Sequence, residues 1–336
     1  MIMISEVKPD IRTQRKHSSF QRGTYRITPR KIPFPILPIL SFIPFPLSNI
    51  LVLDNRKPAL RFVSEMKKIL TIILLVLLLP AVALADLEVH FLNVGQGDCA
   101  IVLCDGEAMV IDGGPRSASN TVYRYIRYTL QLKHIDYVVS THPHIDHVYG
   151  LSSVLNAAPA DLLLSPVTEW DSKAFENMLK YAAKQGTPLS VPNEGDTLRL
   201  GGATATILHC WPEAIEYGRT NDASIVLRID YGKTSFLFTG DAEDWSEYMM
   251  IDDGADLKAD VLKVAHHGSD TASTLEFLQA VRPEYAVISV GKSNRYGHPH
   301  AGVLDRLEKV GAKVLRTDEL GTIVIRSDGE SLTIQN

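Results

Sequence analysis

Cysteine is scarce in this sequence: Cys99, Cys104 and Cys210 are the three cysteines among 336 residues. Cys99 and Cys104 fall within one predicted strand, "DCAIVLC", where five steps of about 3.3 Å separate their Cα atoms by more than a disulfide permits. A bond between either of them and Cys210 stays open. Because the count is odd, at least one thiol lies outside any internal pairing.

Positive charge is also in short supply once the first 65 residues are set aside. Residues 1–65 carry 11 Lys+Arg against 4 Asp+Glu, which leaves 23 against 35, a net charge of −12, for the rest of the chain. Such an acidic body argues against a broad basic surface that grips duplex nucleic acid, although a local basic groove remains open.

Long apolar runs are lacking as well. The most apolar stretch begins at Met66, "MKKILTIILLVLLLPAVALADLEV". Two lysines precede its apolar core at 69–79, which is shorter than the roughly 20 residues of a membrane span, and an Ala-Leu-Ala cleavage site follows. We predict a secretory signal peptide at 66–85, so that the mature protein is secreted or extracytoplasmic and has no stable membrane span. The alternative is a membrane anchor formed by an uncleaved 69–85.

Residues 1–65 precede this signal and contain the proline-studded stretch "KIPFPILPILSFIPFPLSNILVL". Proline removes backbone donors and breaks helices, so this stretch is a poor core helix and a poor membrane helix. We interpret 1–65 as a mis-assigned start, with translation beginning at Met66, or as a disordered leader; a genuine Pro-rich, membrane-proximal leader is the alternative. The folded part is then one domain at 86–336.

Strands and helices alternate through both halves of 86–336. "IDYVVS" and "TSFLFTGD" have the pattern of buried strands. "KAFENMLKYAAKQG" has that of an amphipathic helix closed by glycine. No repeat of fixed period and no internal linker is visible. The pattern predicts an α/β (α+β) fold, an αββα four-layer sandwich.

The stretch "STHPHIDHVYGL" holds His142, His144, Asp146 and His147 directly after a predicted strand. Imidazole and carboxylate groups are good ligands for zinc, manganese or iron. The spacing by two lets His142 and His144 point the same way, whereas Asp146 and His147 turn to a second side. This geometry favours two metal ions over one, and a histidine-rich loop without metal is the alternative.

This motif resembles that of the metallo-β-lactamase superfamily, over nearly all of 86–336. More narrowly, the chain resembles the C-terminal metallo-hydrolase domain of ComEC-type competence proteins, and the secreted teichoic-acid phosphorylcholine esterases are similar. The stretches that carry the resemblance are "FLNVGQGDC", "MVIDGG", "STHPHIDHVYGL", "NDASIVLRIDYGKTSFLFTGDAE", "ADVLKVAHHGS", "SVGKSNRYGHPH" and "RTDELGTI".

The resemblance implies further metal ligands downstream. Asp241 in "FLFTGDAE" is expected to bridge the two ions, although a helix N-cap is the alternative. His266 and His267 end the predicted strand "ADVLKVAHHG", so we expect them to face opposite ways. One would bind metal and the other would face substrate or pack, and the sequence leaves the choice open. His209 is more typical of a buried strand histidine than of a ligand.

Other residues are expected around the ions. Asp98 and Asp112 would brace the ligand loop by fixing the second ring nitrogen of a ligand histidine, with ordinary turn roles as the alternative. His298 matches a recurring position and would contact substrate or lie behind the ligands, whereas His300 would lie at the surface. The candidates for phosphate contacts are Ser269, Lys263, Asn294 and Tyr296, with a surface or packing role as the alternative for Lys263 and Tyr296.

The resemblance implies a dinuclear-metal-dependent hydrolase that acts on phosphodiesters, with DNA, and single-stranded DNA in particular, as the favoured substrate. Two divalent ions are expected, with zinc favoured and manganese as the alternative. Asp146 or Asp241 would steer the proton of the nucleophile. The alternatives are hydrolysis of phosphorylcholine esters, thioesters or lactams, or a non-catalytic accessory module. The oligomeric state stays open.

Overall fold

A computed structural model describes Met66, Lys68 and residues 86–335. The predicted leader at 1–65 lies outside the described residues, and so does the predicted signal peptide at 66–85 apart from Met66 and Lys68. Both remain predictions. Within the described part of the chain, no helix has both the length and the apolarity that a membrane crossing requires.

The first sheet has eight strands in the order β15-β14-β1-β2-β3-β4-β5-β6. Strands β3, β4, β5 and β6 run parallel to one another, whereas β1, β2, β14 and β15 pair antiparallel. The strands are β1 (Leu87–Phe91), β2 (Ala100–Cys104), β3 (Glu107–Ile111), β4 (Ile135–Val139), β5 (Ala160–Leu164), β6 (Leu189–Ser190), β14 (Ile323–Ser327) and β15 (Leu332–Gln335).

The second sheet has seven strands in the order β13-β12-β11-β10-β9-β8-β7. It is antiparallel from β7 to β10 and parallel from β10 to β13. The strands are β7 (Thr197–Leu200), β8 (Ala203–His209), β9 (Val226–Tyr231), β10 (Thr234–Phe238), β11 (Val261–Lys263), β12 (Tyr285–Ile288) and β13 (Lys313–Arg316).

Eight α-helical segments accompany the two sheets in residues 86–335. They are α1 (Ser119–Arg124), α2 (Ile145–Val148), α3 (Leu151–Ala157), α4 (Lys173–Gln185), α5 (Asp244–Asp252), α6 (Leu275–Val281), α7 (Ala301–Lys309) and α8 (Thr317–Leu320). A π-helical stretch, Tyr125–Thr129, continues α1. The predicted helix "KAFENMLKYAAKQG" is confirmed as α4. It begins where Ser172 accepts a hydrogen bond from the Phe175 N–H, and it ends at Gly186 in the left-handed conformation.

Three separate cores show how the layers stack. One core lies between the sheets and contains Phe91, Phe236 and Phe238. A second joins the first sheet to its helices, with Phe175 of α4 buried there. A third joins the second sheet to its helices, around Phe277 of α6. The predicted αββα sandwich is therefore confirmed.

The strand sequences follow from these layers. β8 alternates buried and half-buried side chains along its length because one face packs between the sheets. β10 lies in the middle of its sheet and is buried on both faces, so its sequence "TSFLF" does not alternate. All three cysteines are free thiols, so the pairing with Cys210 that the sequence left open is not formed.

Candidate metal centre

The motif loop leaves the carboxyl end of β4 and turns at once into α2. Asp112, which follows β3, holds the start of this loop: its carboxylate accepts hydrogen bonds from the backbone N–H (2.8 Å) and the hydroxyl (2.7 Å) of Thr141. The His144 carbonyl then accepts from the N–H groups of His147 and Val148, which starts the short helix. The loop therefore carries its polar side chains inward at the strand edge.

His142 and His144 lie side by side. Nε2 of His142 is 3.0 Å from Nδ1 of His144 and 3.8 Å from Oδ2 of Asp241. Burial and the neighbouring His147 keep the pKa of His142 well below its ordinary value, against the opposing effect of Asp241. The neutral imidazole leaves a nitrogen lone pair free to bind a cation.

Three further side chains meet on the other side of Asp241. His147 Nε2 lies 3.2 Å from Asp241 Oδ2. His267 Nε2 lies 3.7 Å from the same oxygen and 3.5 Å from Asp146 Oδ2. Asp241 therefore stands between His142 on one side and the group of Asp146, His147 and His267 on the other.

Asp241 reaches this place through the tight turn that follows β10. Gly240 has a φ of 53°, and a Cβ there would lie 2.9 Å from Thr141 Cβ, so a side chain would push the two loops apart. The N–H of Asp241 donates to Ser224 Oγ at 3.1 Å. Helix α5 has Glu243 at its N-cap position. The alternative role of Asp241 as that helix N-cap is therefore wrong.

The chemistry of these atoms fits divalent cations. Among the described residues, Nε2 of His147, Nε2 of His267 and Oδ1 of Asp241 are buried and form no hydrogen bond. Burial alone would raise the pKa of Asp241, but His147 and His267 outweigh it and hold that pKa well below its ordinary value. Despite burial, Asp241 and Asp98 raise the pKa of His267 to about 10. The centre therefore attracts positive charge, as a metal site must.

Two carboxylates lie behind these histidines. Asp112 Oδ2 is 2.8 Å from His147 Nδ1. Asp98 Oδ1 is 3.2 Å from His267 Nδ1, which also faces the Ser289 carbonyl oxygen at 2.9 Å. An acceptor at Nδ1 places the proton there and leaves Nε2 free, which is the usual arrangement behind a metal-bound histidine.

A cavity of about 310 Å³ opens above Asp241. Its walls are formed by Gln96, His144, Ile145, Asp146, Asn221, Asp241, His266, His267, Tyr296 and His298. Gln96 and Asn221 were not among the residues expected at this site. Both sit in motif stretches, "GQGD" and "NDAS", whose polar residues are the one signal that could have identified them.

The comparison with known families agrees with this architecture. The family model of the metallo-beta-lactamase superfamily matches residues 92–292. The chain belongs to the metallo-beta-lactamase superfamily. A structure of the metallo-beta-lactamase fold protein YhfI from Bacillus subtilis has the same fold, with a TM-score of 0.50 and 14% identity, and covers 72% of this chain and 100% of that one.

Two curated relatives of this superfamily member are ComEC-type competence proteins. It is 32% identical over 273 residues to ComE operon protein 3 of Bacillus subtilis (strain 168). The aligned region covers 76% of this chain and 35% of that protein. It is 30% identical over 252 residues to Recombination protein 2 of Haemophilus influenzae. That aligned region covers 74% of this chain and 30% of that protein. The chain spans about a third of the length of these relatives. The resemblance seen in the sequence is confirmed.

The expectation that His266 and His267 end a strand is wrong. β11 ends at Lys263, and both histidines lie in a turn with left-handed φ values of 48° and 54°. This turn directs both rings toward Asp241, and His266 Nε2 lies 3.9 Å from Asp241 Oδ2. His267 is buried within the groups that could hold an ion, whereas half-buried His266 belongs to none of those found among the described residues.

His266 is held on the cavity wall by polar contacts. Its Nδ1 lies 3.1 Å from Glu243 Oε1 and 3.0 Å from Thr271 Oγ1. Asn221 Nδ2 donates to the same Glu243 oxygen at 3.1 Å. Glu243, which the sequence did not single out, therefore links two side chains of the cavity.

Three of the expected phosphate contacts face elsewhere. Lys263 is buried, and its Nζ lies 2.5 Å from Asp98 Oδ2. Ser269 is buried against Thr271. Asn294 uses both ends of its amide to hold its own loop: it donates to the His298 carbonyl at 2.6 Å and accepts from the His298 N–H at 3.0 Å. These contacts argue against direct phosphate binding by all three.

His298 and Tyr296 line the cavity, with their rings stacked at 5.5 Å. His300 lies outside the cavity wall and accepts a hydrogen bond from the Asp270 N–H. His209 is buried in β8, where its Nδ1 faces Glu194 Oε1 at 3.1 Å. It is in none of the possible ion-binding groups of residues 86–335.

Proposed function

We propose that this chain is an exported, dinuclear-metal-dependent phosphodiesterase that acts on DNA. The observation that carries the proposal is the position of Asp241 Oδ2, which lies within 4 Å of His142, His147 and His267 on the floor of an open cavity. One carboxylate between two sets of ligands is the arrangement expected for a pair of ions that share a bridging group.

His142 and Asp241 would hold one ion, and Asp146, His147, His267 and Asp241 the other. His144 is in none of the possible ion-binding groups of residues 86–335, but its Nδ1 lies 3.0 Å from His142 Nε2 at the cavity wall, where it would complete the ligands of the first ion. Nitrogen and oxygen donors without a thiolate suit zinc and also manganese. When bound, such ions would lower the pKa of a water and neutralise the charge that builds on a phosphoryl oxygen.

The chain itself supplies orientation and proton handling. Asp146 is partly exposed at the cavity, where its carboxylate can accept a hydrogen bond from an attacking water and so orient it. His266 and His298 face the same space and can donate hydrogen bonds to phosphate oxygens. Ile145 and Tyr296 are exposed at the rim and give the substrate apolar surface to lie on.

The relatives support DNA as the substrate, since both are ComEC-type competence proteins and one of them is called Recombination protein 2. The acidic body of the chain supports a single strand over a duplex, because a duplex needs a broad basic surface. The predicted signal peptide at 66–85 supports action outside the cytoplasm.

Metal content and activity together test the proposal. Residues 86–336 should contain close to two equivalents of zinc or manganese, and should hydrolyse single-stranded DNA and bis(p-nitrophenyl) phosphate. His144→Ala and Asp241→Ala should abolish turnover and leave the fold intact by circular dichroism. His134→Ala is the matched control for turnover, because His134 is exposed outside the cavity. With Asp136 and Asp161 it forms a separate group that could hold an ion, so this variant should keep full turnover whatever its metal content. Hydrolysis of a lactam or a thioester alone would contradict the proposal.

N-terminal sequencing of the secreted protein tests the export step. A mature chain that begins at Asp86 would support it, whereas peptides from 1–65 in that protein would contradict both the signal peptide and the start at Met66.

A further inference from the structure

Lys263 is the one lysine or arginine that is buried in the described part of the chain, with 4% of its surface exposed. Its Nζ lies 2.5 Å from Asp98 Oδ2 and donates to the Val264 carbonyl at 2.9 Å. Burying an ammonium costs several kcal/mol unless it is paired with an opposite charge. No step of the proposed reaction uses Lys263, so its burial beside the metal centre needs another reason.

The partner of Lys263 also touches the metal centre. Asp98 Oδ1 lies 3.2 Å from His267 Nδ1, and Asp98 itself is buried. Asp98 therefore connects the ammonium to an imidazole whose Nε2 faces Asp146 and Asp241. The Ser289 carbonyl, 2.9 Å from the same Nδ1, shares in keeping the ring proton on that side, and the carboxylate of Asp98 adds a negative charge behind the ring.

Asp98 is close enough to the centre to take a different role. With Asp241 and His267 it forms a group whose ligand atoms lie within 4.8 Å of one another and could hold an ion directly. A carboxylate freed from Lys263 could turn one oxygen toward that ion and leave His267 Nδ1 with the neutral Ser289 carbonyl, 2.9 Å away, as its remaining acceptor. The short contact with Lys263 favours the position behind His267.

We propose that Lys263 is a positioning residue of the metal centre, which holds Asp98 behind His267 so that Asp98 orients the imidazole and does not bind the ion. The inference rests on the two-ion centre of the proposed function, but not on the identity of the substrate.

Two simpler roles for Lys263 make different predictions. If its charge only repels the ions, its removal should tighten cation binding, whatever residue stands at position 98. If it only fills space, its removal should weaken the fold and the binding of both ions alike, again whatever stands at position 98. The proposed role requires that the effect of removing Lys263 depend on the Asp98 carboxylate.

A double-mutant cycle on metal binding separates these cases. Lys263→Met, Asp98→Asn and the double variant are titrated with zinc against a chelator and with cobalt, whose absorption reports the ligand geometry. Thermal unfolding of the metal-free proteins is measured in parallel. Lys263→Met should lower the binding affinity for one of the two ions by about 10- to 100-fold. It should also shift the absorption spectrum of the cobalt-loaded protein. In the Asp98→Asn background it should change affinity by no more than about twofold, because Lys263 would act only through the Asp98 carboxylate, and the effects of residues in one ion-pair network are not additive.

Asp260→Asn is the matched control for a purely structural loss. Asp260 precedes the same strand at its other end, where its carboxylate accepts hydrogen bonds from the Ser235 N–H and hydroxyl. This variant should lose stability and keep wild-type metal affinity.

Several outcomes would overturn the inference. If Lys263→Met tightens metal binding in both the wild-type and the Asp98→Asn background, Lys263 acts through its charge. If it lowers the affinity for both ions equally in both backgrounds, Lys263 has a packing role. In either case the two-ion hydrolase would stand. A wild-type protein that binds neither zinc nor cobalt would overturn the two-ion centre and this inference together.

Discussion

His147 lies between two carboxylates: its Nδ1 is 2.8 Å from Asp112 Oδ2, and its Nε2 is 3.2 Å from Asp241 Oδ2. Because Asp112 also accepts both hydrogen bonds from Thr141, it fixes the ring of His147 and the backbone of the motif loop together. One carboxylate behind the loop thus sets where the ligand atoms of the loop point.

Asp112→Asn should therefore weaken metal binding without removing a ligand. The single amide oxygen is needed by Thr141, so the amide nitrogen would face His147 Nδ1 and force the ring proton onto Nε2. We expect metal affinity to fall by about 10- to 100-fold, measured by zinc titration against a chelator. Asp328→Asn is the control, since the Asp328 carboxylate accepts hydrogen bonds from the Glu330 and Ser331 N–H groups, away from the cavity and outside the possible ion-binding groups of residues 86–335. Unchanged affinity in Asp112→Asn would contradict the orienting role.

The strand before the motif could be predicted from the sequence because the apolar run "IDYVV" is followed at once by polar residues. The four layers could also be predicted, since strands and helices alternate in both halves. The place of Asp241 beside the motif came from the family resemblance, because the sequence alone does not show which turns meet across the two sheets.

Two features could not be predicted because they depend on distant partners. The turn at His266 and His267 needs left-handed backbone at two non-glycine residues, which the sequence does not signal. The burial of Lys263 depends on Asp98, in the loop between β1 and β2 of the other sheet. From the sequence, a phosphate contact and a packing role are both open for this lysine, and its burial favours the packing role.

Gly97→Ala should destabilise the domain and disturb the motif loop. Gly97 has a φ of 143°, and a Cβ there would lie 2.3 Å from the Asp146 carbonyl oxygen, so the chain must move. We expect a loss of at least about 1–3 kcal/mol, typical of strained backbone, in urea unfolding. Gly95→Ala is the control: its φ of 78° carries a conformational cost, but nothing lies within 4 Å of the new Cβ. Equal losses in the two variants would contradict the steric argument.

Glu247 should make the stability of the domain depend on pH. Burial raises its pKa to about 8, although its carboxylate accepts hydrogen bonds from the N–H groups of Ser273 and Thr274. Because the pKa in the folded state lies above the ordinary value of 4.5, its contribution is fully present below pH 4.5. It is lost as pH rises through 8.

Glu247→Gln should remove this slope. The wild type should lose on the order of a few kcal/mol relative to the variant between about pH 5 and 8, measured by urea unfolding. The variant should also carry a constant penalty of about 1–3 kcal/mol for the hydrogen-bond acceptor that an amide lacks. A stability difference that does not change with pH would contradict the raised pKa of Glu247.

His298→Ala should lower activity without loss of metal. The His298 ring lines the cavity 5.7 Å from that of His266, and His298 is in none of the possible ion-binding groups of residues 86–335. Its backbone N–H is held by Asn294, so the loop should survive the substitution. If the imidazole donates to a phosphate oxygen, kcat/KM on single-stranded DNA should fall by about 10- to 100-fold, the worth of a hydrogen bond to a charged group. Metal content measured on the same sample should stay at the wild-type value, because His298 would then act on the substrate alone; loss of one ion would make it a ligand instead.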